Sequence, residues 1–230
     1  MNSESKLYDF GKILPNPVNF KEPKSGKYVF SNELSATLVG VASAEQMVGL
    51  TVRDLNFSRS QSPWGDALAK KIAKMDWLVR ENKTTINDTA AFLKPNGILI
   101  VETVTKLPIL GTCGNVLGIA TINQELTHRL SHRLLFDLYK NICGKKVAAR
   151  KFLYHVGIES WFFRLPTEAE LLVLIERAAG NVDKEIARAQ GVSIRTIETH
   201  FVNLRSKLNG DALSSVVSCL RNPSHTIKAI

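Results

Sequence analysis

Residues 182–208 read VDKEIARAQGVSIRTIETHFVNLRSKL, and this run decides what the C-terminal part of the chain is. Asp183 to Gln190 holds no helix breaker and sets Ile186 and Ala187 on one small apolar face. Gly191 supplies a turn, because glycine takes a left-handed backbone without steric cost. Ser193 follows as the N-cap of a second helix, its hydroxyl accepting a backbone N–H. In that helix Ile194, Ile197, Phe201, Leu204 and Leu208 recur at spacings of three and four, which makes one core-facing stripe. Arg195, Thr199, Val202 and Ser206 lie opposite the stripe, with Glu198 and Asn203 on its flanks. A solvated helix face ordinarily carries long charged residues, and helix propensity does not explain a β-branched pair there. Contact with a thymine methyl in a major groove does explain Thr199 and Val202, while Arg195 near the helix N-terminus suits a phosphate or a guanine edge. An ordinary two-helix hairpin explains the stripe equally well, so periodicity alone leaves both readings open.

The residues resolve this through a resemblance. The stretches Lys184-Glu185-Ile186-Ala187, Val192-Ser193, Arg195-Thr196-Ile197, His200, Asn203 and Lys207-Leu208 resemble the C-terminal DNA-binding domain of the LuxR type, also called NarL or GerE type. Gln190 departs from a usual aliphatic residue and Glu198 from a frequent lysine. The resemblance implies a helix-turn-helix domain over 165–222, with Lys184, Ser193, Arg195, Thr196, Glu198, Thr199, Val202, Asn203, Ser206 and Lys207 toward DNA. It also implies a last helix, Asp211 to Leu220, that makes a dimer contact. The partners implied are double-stranded DNA and a second copy of the chain, with RNA polymerase a further candidate. Glu198 has two available roles, accepting from a cytosine amino group or pairing with Arg195, and the pairing is preferred.

Upstream, Val18–Lys21 and Lys27–Ser31 flank a Pro23–Gly26 turn and read as a hairpin, after a short helix from Lys6 to Leu14. Brief helices follow at Asn32–Val39 and Ser43–Val48, then a longer one at Trp64–Glu81. Strand candidates come last, at Ile86–Leu93, Ile98–Leu110 and Val116–Thr121, with a turn at Pro95-Asn96-Gly97. Strands, helices, then strands is an α+β order with an antiparallel sheet. It resembles a PAS sensor domain, through Asn16-Pro17-Val18, Lys27 to Asn32, Val48 to Thr51 and Gly118-Ile119-Ala120. That resemblance implies a small-molecule ligand as a candidate partner. The segment names no cofactor: no NCRFLQ-like run offers a flavin-reactive cysteine. Met75, Trp77 and Phe92 are candidate pocket residues, with core packing the preferred role.

From Asn123 a further helix is expected, with Leu126, Leu130, Leu134, Leu135, Leu138 and Ile142 on a stripe that suits either a parallel dimer seam or packing on the sheet. Lys145 to Val156 forms another, and Trp161, Phe162 and Phe163 look exposed in the connector after it. The expected division is a PAS-like domain at 1–124, a basic helical connector at 125–164, the helix-turn-helix domain at 165–222 and a tail at 223–230. Of the formal charge of +9, residues 127–164 hold +6, which favours polyanionic partners.

The 230 residues suffice for two modest domains, and 44% hydrophobic with 22% charged residues excludes a disordered tail. No run of 18 apolar residues and no signal-like start appear, so a cytoplasmic protein without membrane contact is expected. Cys113, Cys143 and Cys219 form no CxxC pair, and His128 with His132 lacks a nearby third ligand, so no metal site is expected. No nucleophile, base and orienter emerge together, which disfavours an enzyme. The reading is a sequence-specific transcriptional regulator whose activity a PAS-like domain sets. A receiver-type output and a helix-turn-helix used for protein docking remain as alternatives.

Overall fold

A computed structural model describes residues 3–55, 63–94, 96–210 and 213–221 of the chain. It divides into two compact units, Met1–His128 and Arg129–Ile230. The Trp64 side chain, Pro95, Asp211 and the 223–230 tail, all singled out in the sequence, lie outside the described residues.

The first unit is built on β1 (Val18–Lys21), β2 (Tyr28–Ser31), β3 (Ile86–Leu93), β4 (Leu99–Leu110) and β5 (Val116–Glu125). They form one sheet in the order β2-β1-β5-β4-β3, and every neighbouring pair is antiparallel. The N-terminal hairpin thus lies beside the last strand. Between β2 and β3 the chain makes α2 (Glu33–Val39), a 3-10 turn at Ala44–Met47, α3 (Val52–Leu55) and α4 (Pro63–Asn82). This is a PAS-like α+β arrangement, as the sequence pattern implies. Leu68 and Met75 of α4 pack with Ala90, Phe92, Ile100 and Val104 on the inner sheet face.

Helix α1 (Ser3–Ile13) covers the opposite face. Tyr8 stacks on Phe20 and Phe30 with ring centroids 5.9 and 5.1 Å away, and the two phenylalanines stack at 4.9 Å. Asn32 ties these elements together. Its Oδ1 accepts from Ser35 N at 3.1 Å, capping α2, and from Val18 N at 3.0 Å, while its Nδ2 donates to Gly11 O at 3.2 Å and Asn16 O at 2.8 Å. A buried amide with both ends bonded fixes where β1 and α2 begin.

The second unit comprises α5 (His132–Cys143), α6 (Lys145–His155), α7 (Glu168–Ala178), α8 (Asp183–Gln190), α9 (Ile194–Arg205) and α10 (Leu213–Arg221). Helices α5 and α6 enclose Phe136, Tyr139, Phe152 and Leu153, all fully buried. The helix expected from Asn123 starts later. Asn123 belongs to β5, where its Nδ2 donates to Glu102 at 2.6 Å, and Ser131 sets the start of α5 by accepting from Leu134 N at 3.2 Å. Leu126 and Leu130 therefore fall outside the helix despite their spacing, and Leu134 is exposed while Leu135 is buried. Of the three connector aromatics Phe163 alone is exposed, since Phe162 forms a bridge to Leu208 and is buried.

Gly11 gives the fold a direct test. A Cβ there would sit 2.6 Å from Phe30 Cε1 and 2.9 Å from Cζ, in a ring already held by Tyr8 and Phe20. Alanine improves helix propensity by about 1 kcal/mol, yet overpacking costs about 1–3 kcal/mol. Gly11→Ala is expected to destabilise the first unit by about 1–2 kcal/mol in chemical denaturation. A stabilised variant would show that α1 does not seat on the sheet in this way.

Candidate sensor cavity and nucleic-acid interface

Strand register brings polar residues to the inner face of the first unit's sheet. Asn19 pairs with Thr121, which pairs with Lys106, so three neighbouring strands present one polar row. Lys21, Glu102 and Asn123 occupy the same face one or two rows away, and α4 lowers Asp76 onto it. Asp76 Oδ2 accepts from Lys21 at 2.9 Å and Oδ1 from Lys106 at 2.5 Å. Lys106 also donates to Thr121 Oγ1 at 3.2 Å, and the Lys21 ammonium lies 4.8 Å from the Tyr28 ring centroid. Both lysines are 1% exposed.

A cavity of about 50 Å3 opens beside this network. Asn19, Lys21, Lys106, Thr121, Glu102 and Asn123 form its polar side, and Leu38, Val39, Met47, Leu68, Ile72, Met75 and Phe92 its apolar side. Asn19 Oδ1 and Ser35 Oγ are buried there without a hydrogen-bond partner. Of the pocket candidates read from sequence, Met75 and Phe92 line the cavity, whereas Trp77 is 51% exposed. The buried charges were not legible. In Val101-Glu102-Thr103-Val104-Thr105-Lys106 both alternating faces carry polar groups, and only the strand order shows which is covered.

Burial drives the electrostatics. It raises the Glu102 carboxyl to about 7, against the hydrogen bond from Asn123 and with repulsion from Glu125 adding to it. Burial likewise lowers Lys106 to about 8, with repulsion from Lys21 in the same direction and Asp76 opposing both. For Asp76 burial acts upward, but the two ammoniums prevail and hold the carboxyl below its ordinary value.

In the second unit Val182 precedes α8, Gly191 turns at φ 66°, and Ser193 Oγ accepts from Thr196 N at 3.1 Å to start α9. Ile186 and Ala187 of α8 are buried, as are Ile197, Phe201, Leu204 and Leu208. Ile194, expected on the core stripe, is 44% exposed at the first position of α9, directly after the Ser193 cap. Lys184, Ser193, Arg195, Glu198, Thr199, Val202, Asn203 and Ser206 are exposed, and Thr196 is half-buried. The Thr199 hydroxyl donates to Arg195 O at 2.9 Å and that of Ser206 to Asn203 O at 2.8 Å. With its hydroxyl turned back on the helix, Thr199 presents a methyl group to solvent.

Lys207 stands differently from the other reader candidates. Its ammonium lies 2.5 Å from Glu170 Oε2, and Glu170 is buried and closes the capping box of α7 with Thr167. Burial acts upward on the Glu170 carboxyl, but Lys207 and Thr167 hold it below its ordinary value. Lys207 thus fastens the end of α9 to the start of α7. Glu198 makes no ion pair with Arg195 among the described residues. With Val202 and Arg205 it lines an open groove shared with Arg177 and with Val217 and Arg221 of α10. Arg188 and Arg205 are exposed basic groups of the helix-turn-helix that sequence reasoning passed over, since neither belongs to the matching pattern. The expected helix from Asp211 is present from Leu213 onward, with Leu213, Val216 and Leu220 buried. No group of three or more metal-ligating side chains occurs among the described residues, and no described helix is long and apolar enough to cross a membrane.

The first unit thus holds a cavity with one polar wall, and the second a helix-turn-helix whose second helix keeps one face exposed. Residues 167–219 match the family described as bacterial regulatory proteins, luxR family, so the second unit carries a LuxR-type DNA-binding domain. Comparison with curated protein sequences gives no match. Among solved structures, the phage VqmA–DPO complex is 24% identical over 94% of this chain and 87% of that one, with a TM-score of 0.51, a likeness of fold. The Vibrio cholerae VqmA dimer is 22% identical over 95% and 87%, with a TM-score of 0.47. The PAS domain of Bordetella pertussis BvgS is 19% identical over 61% of this chain and 100% of that domain, also with a TM-score of 0.47.

The Glu102 carboxyl makes stability depend on pH. Its folded value of about 7 lies above the ordinary 4.5, so its protonated form stabilises the fold fully below 4.5 and the contribution is lost as pH rises through 7. The loss amounts to about 3 kcal/mol. Glu102→Gln is expected to match the wild type near pH 5 and to exceed it in denaturation near pH 8. Parallel stability curves for the two proteins would contradict a neutral buried Glu102.

Proposed function

We propose that the chain is a transcriptional regulator that reads DNA as a homodimer, and that a small molecule in the PAS-like cavity sets the activity of the reader. The reading surface is Lys184, Ser193, Arg195, Thr196, Thr199, Val202, Asn203 and Ser206. Lys207 serves the domain's own packing, and Glu198 acts at the flank toward α10. The observation that carries this reading is the outward pair of Thr199 methyl and Val202, the latter 60% exposed, on the second helix of a luxR-family domain. An exposed valine is unfavourable in water and apolar contact with thymine methyls gives it a use. The Ser193 cap leaves the first N–H groups of α9 beside Arg195, where a phosphate is favoured.

The ligand part rests on the cavity. A buried polar face with unpartnered oxygens is costly unless something bonds to it. The phage VqmA of like fold is described in complex with DPO, which supports a small molecule as the occupant here. A ligand shifts the reader only through different affinity for its two states.

Binding-site selection with the full chain tests the reading surface. Thr199→Ala and Val202→Ala are expected to relax base preference at the contacted positions by about 1 kcal/mol each, while phosphate contacts keep most of the affinity. Unchanged site preference in both variants would remove this surface from the account.

A further inference from the structure

We infer that the cavity of the first unit takes a short carboxylate with an adjacent O–H or N–H donor, of the 2-hydroxy- or 2-amino-acid class. The inference rests on the sensor reading above and names its ligand.

Size comes first. A water needs about 10–15 Å3 of such space, so a cavity of about 50 Å3 holds only a handful of heavy atoms. A nucleotide, flavin or haem is larger than a cavity of this size. Charge comes next. Lys21 and Lys106 share the single carboxylate of Asp76, both of whose oxygens are taken, so while Glu102 is protonated the cluster carries one positive charge beyond its partner. A buried unpaired charge is costly, and an anion against Lys106 offsets it. Glu102 lines the same cavity but is bonded to Asn123, and no ion pair joins it to either lysine among the described residues.

Hydrogen-bond chemistry then sets the shape of the ligand. Lys106 donates to Asp76 and Thr121, which leaves a third N–H, and Thr121, whose oxygen accepts from Lys106, keeps its own O–H to give. These two donors suit the two oxygens of a carboxylate. In the same cross-strand row Asn19 offers the opposite need: its Oδ1 is buried, unpartnered and an acceptor. A donor on the carbon next to the carboxylate reaches it. The apolar wall of Leu38, Ile72 and Phe92 accommodates a short alkyl group.

Calorimetric titration of the full chain with L-lactate, propionate and propane-1,2-diol tests this, because the three differ only in the carboxylate and the neighbouring hydroxyl. L-lactate is expected to bind best, with propionate roughly 10-fold weaker and the diol roughly 10- to 100-fold weaker, as loss of a neutral and of a charge-assisted hydrogen bond implies. Lys106→Met is expected to abolish the preference for lactate over the diol. Thr121→Val, which keeps shape and removes one donor, guards against misfolding of the first variant and is expected to weaken lactate and propionate more than the diol. Equal affinity for lactate and the diol, no heat from lactate at millimolar concentration, or undiminished lactate binding by folded Thr121→Val and Lys106→Met would each overturn the inference. Repeating the lactate titration with the selected duplex present separates the two levels. Lactate binding that leaves DNA affinity unchanged would overturn the sensor reading while the ligand assignment stands.

Discussion

Asp76 holds two buried ammonium groups, one on each carboxylate oxygen, and the architecture of the first unit depends on that arrangement. Its partners come from β1 and β4, which lie on either side of β5, so one side chain from α4 fastens the helix across three strands. Removing ions from water costs several kcal/mol each, and close pairing with further hydrogen bonds offsets this. Thr121 and the Tyr28 ring supply those further contacts. The cavity lies beside this clamp, lined by both lysines and by Leu68, Ile72 and Met75 of α4. A cavity with a charged floor is thus a by-product of how the unit is held together.

The second unit uses a smaller version of the device. Glu170 caps α7 through its reciprocal bonds with Thr167 and receives Lys207 from the end of α9. One buried carboxylate therefore sets where α7 starts and where the reading helix ends. Arg177 of α7 lies 4.8 Å from the ring centroid of Phe201 in α9, a second contact between the same two helices. With its core face held this way, α9 leaves Arg195, Thr199, Asn203 and Ser206 turned outward. Rigid presentation of that face is what groove reading requires.

The sequence discloses the order of elements well, and the reason is periodicity. Ile86–Leu93 appears as a strand with the expected bounds, because β-branched residues and a following turn mark both ends. Gly191 and Ser193 mark the helix-turn-helix junction by backbone conformation and capping, both local properties. What remained hidden depends on strand pairing. Lys21, Glu102 and Lys106 look like solvated strand residues until β1, β5 and β4 are neighbours, and that adjacency spans about a hundred residues of chain. The late start of α5 has the same origin: β5 extends to Glu125 because Asn123 is bonded to Glu102, a partner that no local pattern announces. Lys207 matched a DNA-binding motif by position, and only the buried Glu170 reveals its packing role.

The central claim is that the first unit governs the DNA affinity of the second. Comparing residues 129–230 with the whole chain, by titration of a selected duplex and by sedimentation, tests it most directly. The account predicts that removal of the first unit changes the DNA dissociation constant or the oligomeric state, since control requires the two units to share free energy. The same affinity and the same oligomeric state in fragment and whole chain would contradict it.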